Sequence, residues 1–145
     1  MCRKMSKGEM TMKKIFTIIL ACMMSIVLCS CGGDVSKVNV QKYESELYTA
    51  KEIDSAIDVA IKYFENNFSG CTLTEITYAG DEISEEYINW AERNDADDVI
   101  VLISSFDVDS SGGDGSLNPN STYNGWSWIL VRNNGGKWRH VDHGY

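Results

Sequence analysis

The sequence predicts an α+β domain, one long amphipathic helix followed by a sheet, and three observations predict it. Residues 49–68 join a helix-start signal to a single apolar stripe at helical spacing. Residues 99–108, VIVLISSFDV, form an almost unbroken apolar run of β-branched character, as a strand covered on both faces requires. Residues 126–143 read as two strands joined across Asn133-Asn134-Gly135-Gly136, a turn that needs positive φ.

In chain order, residues 1–30 read as a leader. Within 12–31, MKKIFTIILACMMSIVLCSC, Lys13 and Lys14 form a positive n-region and 15–28 an apolar core, closed by Leu28-Cys29-Ser30-Cys31. That core is shorter than the ~20 residues of a spanning helix, and Gly32-Gly33-Asp34 follows it instead of a basic stop. Residues 1–11 add a second basic cluster ahead of an ordinary n-region, which points to Met12 as the start. The ending resembles the lipobox of bacterial lipoproteins: a branched aliphatic three before the cysteine and a small residue one before it. The resemblance implies that Cys31 is thioether-linked to diacylglycerol and becomes the mature N-terminus. Cys29 fits worse, because Leu28 would then occupy the small-residue position.

Residues 31–48 begin with the lipidated cysteine and two glycines and continue polar, which predicts a flexible tether passing into a short helix or arm near 40–48. Residues 49–145 are the domain. Thr49-Ala50-Lys51-Glu52 is a capping box, in which hydroxyl and carboxylate each satisfy a backbone N–H of the first turn. Ile53, Ala56, Ile57, Ala60, Ile61, Phe64 and Phe68 then form one stripe, and Asn66, Asn67, Ser69 and Gly70 stop the helix. Residues 71–78, CTLTEITY, read as a strand whose alternation slips between Leu73 and Ile76, so a bulge is expected there. Ser84 is the expected cap of a second helix, 85–93. After the strand at 99–108, residues 109–125 read as a long polar loop, 126–132 as a strand, and 137–143 as its hairpin partner.

Charge and cysteine content exclude several roles. The leader holds five of the thirteen basic residues and one of the twenty-one acidic ones, so the rest carries eight against twenty, a net charge of −12. That balance argues against nucleic acid and against adhesion to anionic head groups, so the expected membrane attachment is the diacylglyceryl group itself. With the leader removed and Cys31 lipidated, Cys71 is left alone and no disulfide can staple the domain. It is expected to be a buried small hydrophobe.

The order helix, strand, helix, three strands resembles the cystatin-like superfold that includes nuclear-transport-factor-like domains, ketosteroid isomerase and SnoaL-type cyclases. The text NPNSTYNGWSWILVRNNGGKWRHVDHGY is similar to small Gram-positive lipoproteins carrying a domain of unknown function. The resemblance implies a curved antiparallel sheet packed on a long N-terminal helix. It implies little about activity, since such a fold hosts enzymes, carriers and assembly modules alike.

Three constellations are candidates for chemistry. His140 and Asp142 alternate onto one face of a strand, with His143 on the other, and could serve as an acid/base pair or as metal ligands. Solvated residues of a last strand explain them more simply. Asp107, Asp109 and Ser111, followed by Gly112, resemble the start of a calcium loop, but Asn118 stands where the bidentate glutamate belongs, Pro119 follows it and strands flank it. Trp126 and Trp128 share a face and, with Tyr123, are candidates for a ligand pocket, against the plainer reading of core beneath the helix. No nucleophile triad, CxxC pair, P-loop or dinucleotide glycine pattern is present. The expectation is a lipid-anchored, extracytoplasmic module that binds a small ligand, peptide or envelope partner without a cofactor. The alternative is a SnoaL-like enzyme using His140 and Asp142 in a cavity.

Overall fold

The computed structural model describes residues 32–41 and 43–145. The expected leader and the lipidation of Cys31 lie outside the described residues. The chain is α+β: β1 (Asn39–Val40), α1 (Ala50–Asn67), β2 (Cys71–Tyr78), α2 (Asp81–Glu86), α3 (Ile88–Arg93), β3 (Asp98–Val108), β4 (Thr122–Arg132) and β5 (Arg139–Gly144). The five strands lie in chain order in one sheet, antiparallel from β2 to β5, with β1 added parallel to β2. The sheet is therefore mixed where an antiparallel one was expected. No helix among the described residues is long and apolar enough to cross a membrane.

Helix α1 forms where the capping box places it: the Glu52 N–H donates to the Thr49 hydroxyl and the Thr49 N–H to Glu52 Oε2. Its stripe buries Ile53, Ala56, Ile57, Ala60 and Phe64 against one sheet face, whose inward residues include Leu73, Ile100, Leu102, Phe106, Trp128 and Leu130. The opposite face carries a smaller cluster, Val99, Ile129 and Val131 beneath Ala91 of α3, with Tyr87, Trp90 and Val141 at its edge. The first half of β3 is thus covered on both sides, which its continuous apolar run requires.

Three bulges set which side chains share a face. In β2 the register shifts between Leu73 and Glu75, which lets Leu73 and Ile76 both turn inward. In β4 Ser104 pairs with Trp126 and Ser105 with Asn124, leaving Gly125 unpaired at φ 74°, a conformation that favours glycine. In β5 Leu130 pairs with His140 and Ile129 with Asp142, leaving Val141 unpaired.

Three expectations are corrected. Residues 33–41 and 43–48 are not a free tether: Gly33 N–H donates to Glu65 O at 3.0 Å, Asp34 N–H to Cys71 O at 2.8 Å, and Asn39–Val40 pair with β2. Further along, Ser45 and Glu46 bond Asp81, and Tyr48 is buried. Backbone groups hold residues 33–41, and side chains hold 43–48, Tyr43 on Asp54, Ser45 on Asp81 and Tyr48 on Asp98, so the polar composition gave no sign of the attachment. Ser84 is not a cap either. The second helical region begins at Asp81 and breaks at Tyr87, and the buried Ser84 hydroxyl accepts the N–H of Val101, a residue beyond the end of the β2 ladder. Finally, β4 starts at Thr122 rather than Trp126, because the Gly125 bulge lets the ladder continue across the glycine.

Candidate functional site

The α1 face of β4 and β5 gathers an aromatic and histidine cluster. The Gly125 bulge brings Tyr123 onto the same face as Trp126 and Trp128: Tyr123 stacks on Phe106 at 5.2 Å, and Trp126 meets both rings edge-on. The Val141 bulge turns His140 and His143 to that face together, with His140 Nε2 and His143 Nδ1 3.1 Å apart. Tyr63 of α1 lies over His140, ring centroids 4.1 Å apart, and Trp128 and Phe68 flank His143.

Next to this cluster is an open cavity of about 320 Å³ between the C-terminal half of α1, the 109–121 loop and the sheet. Tyr63, Phe68, Trp126, Leu117 and His143 give it apolar and aromatic walls; Asn67, Ser69, Ser116 and Asp114 give it a polar rim, and its lining holds no lysine or arginine. The Trp126 indole N–H is buried without a hydrogen-bond partner. A buried donor left without a partner costs roughly 1–3 kcal/mol.

The sequence-derived candidates fall out unevenly. Trp128 belongs to the core, fully buried, with its indole N–H donating to Ser104 Oγ at 2.8 Å. Trp126 lines the cavity, and Tyr123 buttresses it. The His140/Asp142 pair is contradicted: Asp142 pairs with Ile129 on the opposite face, where it borders a separate groove with Glu86, Tyr87 and Trp90. The unpaired Val141 inverts the alternation that placed His140 and Asp142 together. Asp107, Asp109 and Ser111 do not converge as ligands. Asp107 lies on β3 and accepts from the Thr122 hydroxyl, while Asp109 accepts from the Ser111 N–H and hydroxyl, which hold its carboxyl below the usual range. Among the described residues, no group of three or more His, Cys, Asp and Glu side chains is placed to hold a metal ion. Cys71 is buried beside the cavity, and burial pushes its thiol up to about 11, which suits an inert packing role.

No family model matches the chain, and no curated protein or solved structure matches it either. The site therefore rests on its own geometry.

That geometry makes the histidine pair pH-sensitive. His140 is held below the usual imidazole range by burial first and then by the neighbouring His143; burial does the same to His143, and Asp142 opposes both shifts. A neutral pair shares one proton between facing nitrogens, whereas two imidazoliums oppose two donors. As pH falls, the unfolded chain binds these protons first. The stability that the neutral pair contributes is therefore complete above about pH 6.5 and is lost as pH falls from there through the lower folded values. We expect the urea midpoint to drop between about pH 7.5 and about pH 5, and to drop less in His143→Asn. Equal drops would show that the pair is not coupled to folding.

Proposed function

We propose that this chain is a lipid-anchored module on the extracytoplasmic face of a bacterial cell membrane, diacylglyceryl-modified at Cys31, that binds a small ligand without converting it. The observation that carries the binding part is the cavity beside Trp126, with aromatic walls, a polar rim and a buried indole N–H left unpaired. The anchoring part rests on the residues before Gly32. A cystatin-like arrangement fits a helix laid across one face of the four-strand meander from β2 to β5. A binding role is favoured over a SnoaL-like enzyme because His140 and Asp142 stand on opposite faces of the sheet.

The lining supplies Asp114 and holds no lysine or arginine, so the favoured ligand is neutral or cationic with a flat apolar part. Tryptamine and indole-3-acetate, matched in ring and opposite in charge, test this. Tryptamine is expected to bind about tenfold more tightly, the effect of roughly 1.4 kcal/mol of charge discrimination. Trp126→Ala is expected to weaken both by roughly three- to tenfold through the lost ring contact. Equal affinities, or affinities untouched in Trp126→Ala, would place binding elsewhere.

A further inference from the structure

We infer that the end of the domain carrying the cavity is held against the lipid head groups, so that the site draws its ligand from the membrane interface. The inference rests on the anchored reading above and adds an orientation to it. Gly33 N–H is bonded to Glu65 O in the last turn of α1, and Asp34 to Cys71 and Leu73 at the start of β2. The chain is pressed so closely there that a Cβ on Gly33 would lie 2.6 Å from the Phe64 ring, and one on Gly32 would collide with Glu65 O.

A single residue, Gly32, therefore separates the lipidated position from a residue fixed on the fold. Two Cα–Cα steps span at most about 7 Å, far less than a flexible tether of residues 31–48 would have allowed. The same end of α1 supplies Asn67 and Phe68 to the cavity, and the 109–121 loop joins it there through the Asp109 N–H to Gly70 O bond. At the other end, Trp138 Nε1–H donates to Glu52 O in the first turn, so Lys137 and the Asn133-Asn134-Gly135-Gly136 turn lie beside it. The 18 residues of α1 put about 27 Å between the two ends. The anchor thus fixes the near end and leaves the far end in water.

The test uses protein extracted from its host's membranes, with the mass of the N-terminal peptide showing whether Cys31 is modified. Fluorophores are placed at Ser110→Cys, next to Asp109, and at Lys137→Cys in separate variants; the buried, high-pKa Cys71 leaves little background. In phosphatidylethanolamine and phosphatidylglycerol vesicles with nitroxide on the head groups, the label at 110 should lose most of its emission and that at 137 little. A Gly/Ser spacer of about 20 residues inserted between Gly32 and Gly33, with an r.m.s. reach of roughly 25 Å, should remove the difference. Equal quenching of the two labels in lipidated protein, without the spacer, would overturn the orientation while leaving the anchor intact. An unmodified Cys31 would overturn the anchor, and the orientation with it.

Discussion

Trp128→Ala is expected to cost about 4–5 kcal/mol, at the upper end of the range for burying and then deleting a large aromatic side chain. Trp128 is 0% exposed and sits where the inner face of β4 meets α1: its ring contacts Phe64, Phe68, Tyr63 and both histidines. Deleting it removes that burial, opens a cavity among rings that cannot collapse together, and leaves the buried Ser104 hydroxyl without its indole donor. A domain of this size has roughly 5–15 kcal/mol in total, so the variant should lie close to its unfolding threshold. Trp128→Phe keeps most of the volume and should lose much less. Urea unfolding followed by circular dichroism checks both, and an alanine variant within 1 kcal/mol of wild type, judged against the usual measurement scatter of about that size, would contradict this placement of the core.

Arg132→Met is expected to cost about 2–3 kcal/mol. The guanidinium is 7% exposed and joins three elements: Nη2 reaches Glu52 Oε1 of α1 at 2.8 Å and Asp98 Oδ2 of β3 at 2.9 Å, and Nε donates to Asp98 Oδ2. Its plane lies over the Trp138 ring at 4.2 Å. Removing one partner of a fully buried ion pair costs roughly 3–5 kcal/mol, but Glu52 and Asp98 are each about a third exposed and water recovers part of the loss. Arg132→Lys should restore little, because an ammonium provides neither the fork nor the stacking plane.

The Arg132 site also has a pH signature. The Glu52 carboxyl is held down at about 2, first by the Thr49 backbone and side-chain hydrogen bonds and then by Arg132. A depressed carboxylate contributes stability above its unfolded value near 4.5 that is lost as pH falls to about 2. In Arg132→Met that acid-side loss should be shallower but not absent, since the Thr49 contacts remain. An unchanged acid slope would mean that the ion pair does not couple the helix start to the sheet.

How far the sequence could be read depended on whether side chains or backbone groups carry each feature. Helix α1 was legible to the residue at its start because Thr49 and Glu52 are themselves the cap. The β2 bulge was legible because Leu73 and Ile76 break alternation and both are buried. The β5 bulge left no such trace. Val141 is apolar between polar neighbours, so strict alternation put His140 with Asp142; only its packing beside Trp90 and Ala91 on the second face shows why the ladder slips there. The arm at 33–48 was hidden for another reason. Its polar residues read as a linker, while its first half is attached through N–H and C=O groups that every sequence has, and the partners of its Tyr43, Ser45 and Tyr48 side chains, Asp54, Asp81 and Asp98, lie elsewhere in the chain. For Ser84 the hydroxyl suits a cap and an interior partner equally, and the unpaired Val101 N–H decided between them.

The most direct test of the proposed binding site follows the four tryptophan indole N–H resonances during a tryptamine titration. Trp128 and Trp138 donate to Ser104 and Glu52 beneath α1, and Trp90 borders the groove on the opposite face. Only the Trp126 resonance, from the unpartnered indole in the cavity, should move and saturate. A saturating shift at Trp90 with Trp126 unmoved would put the binding face on the other side of the sheet and contradict the account.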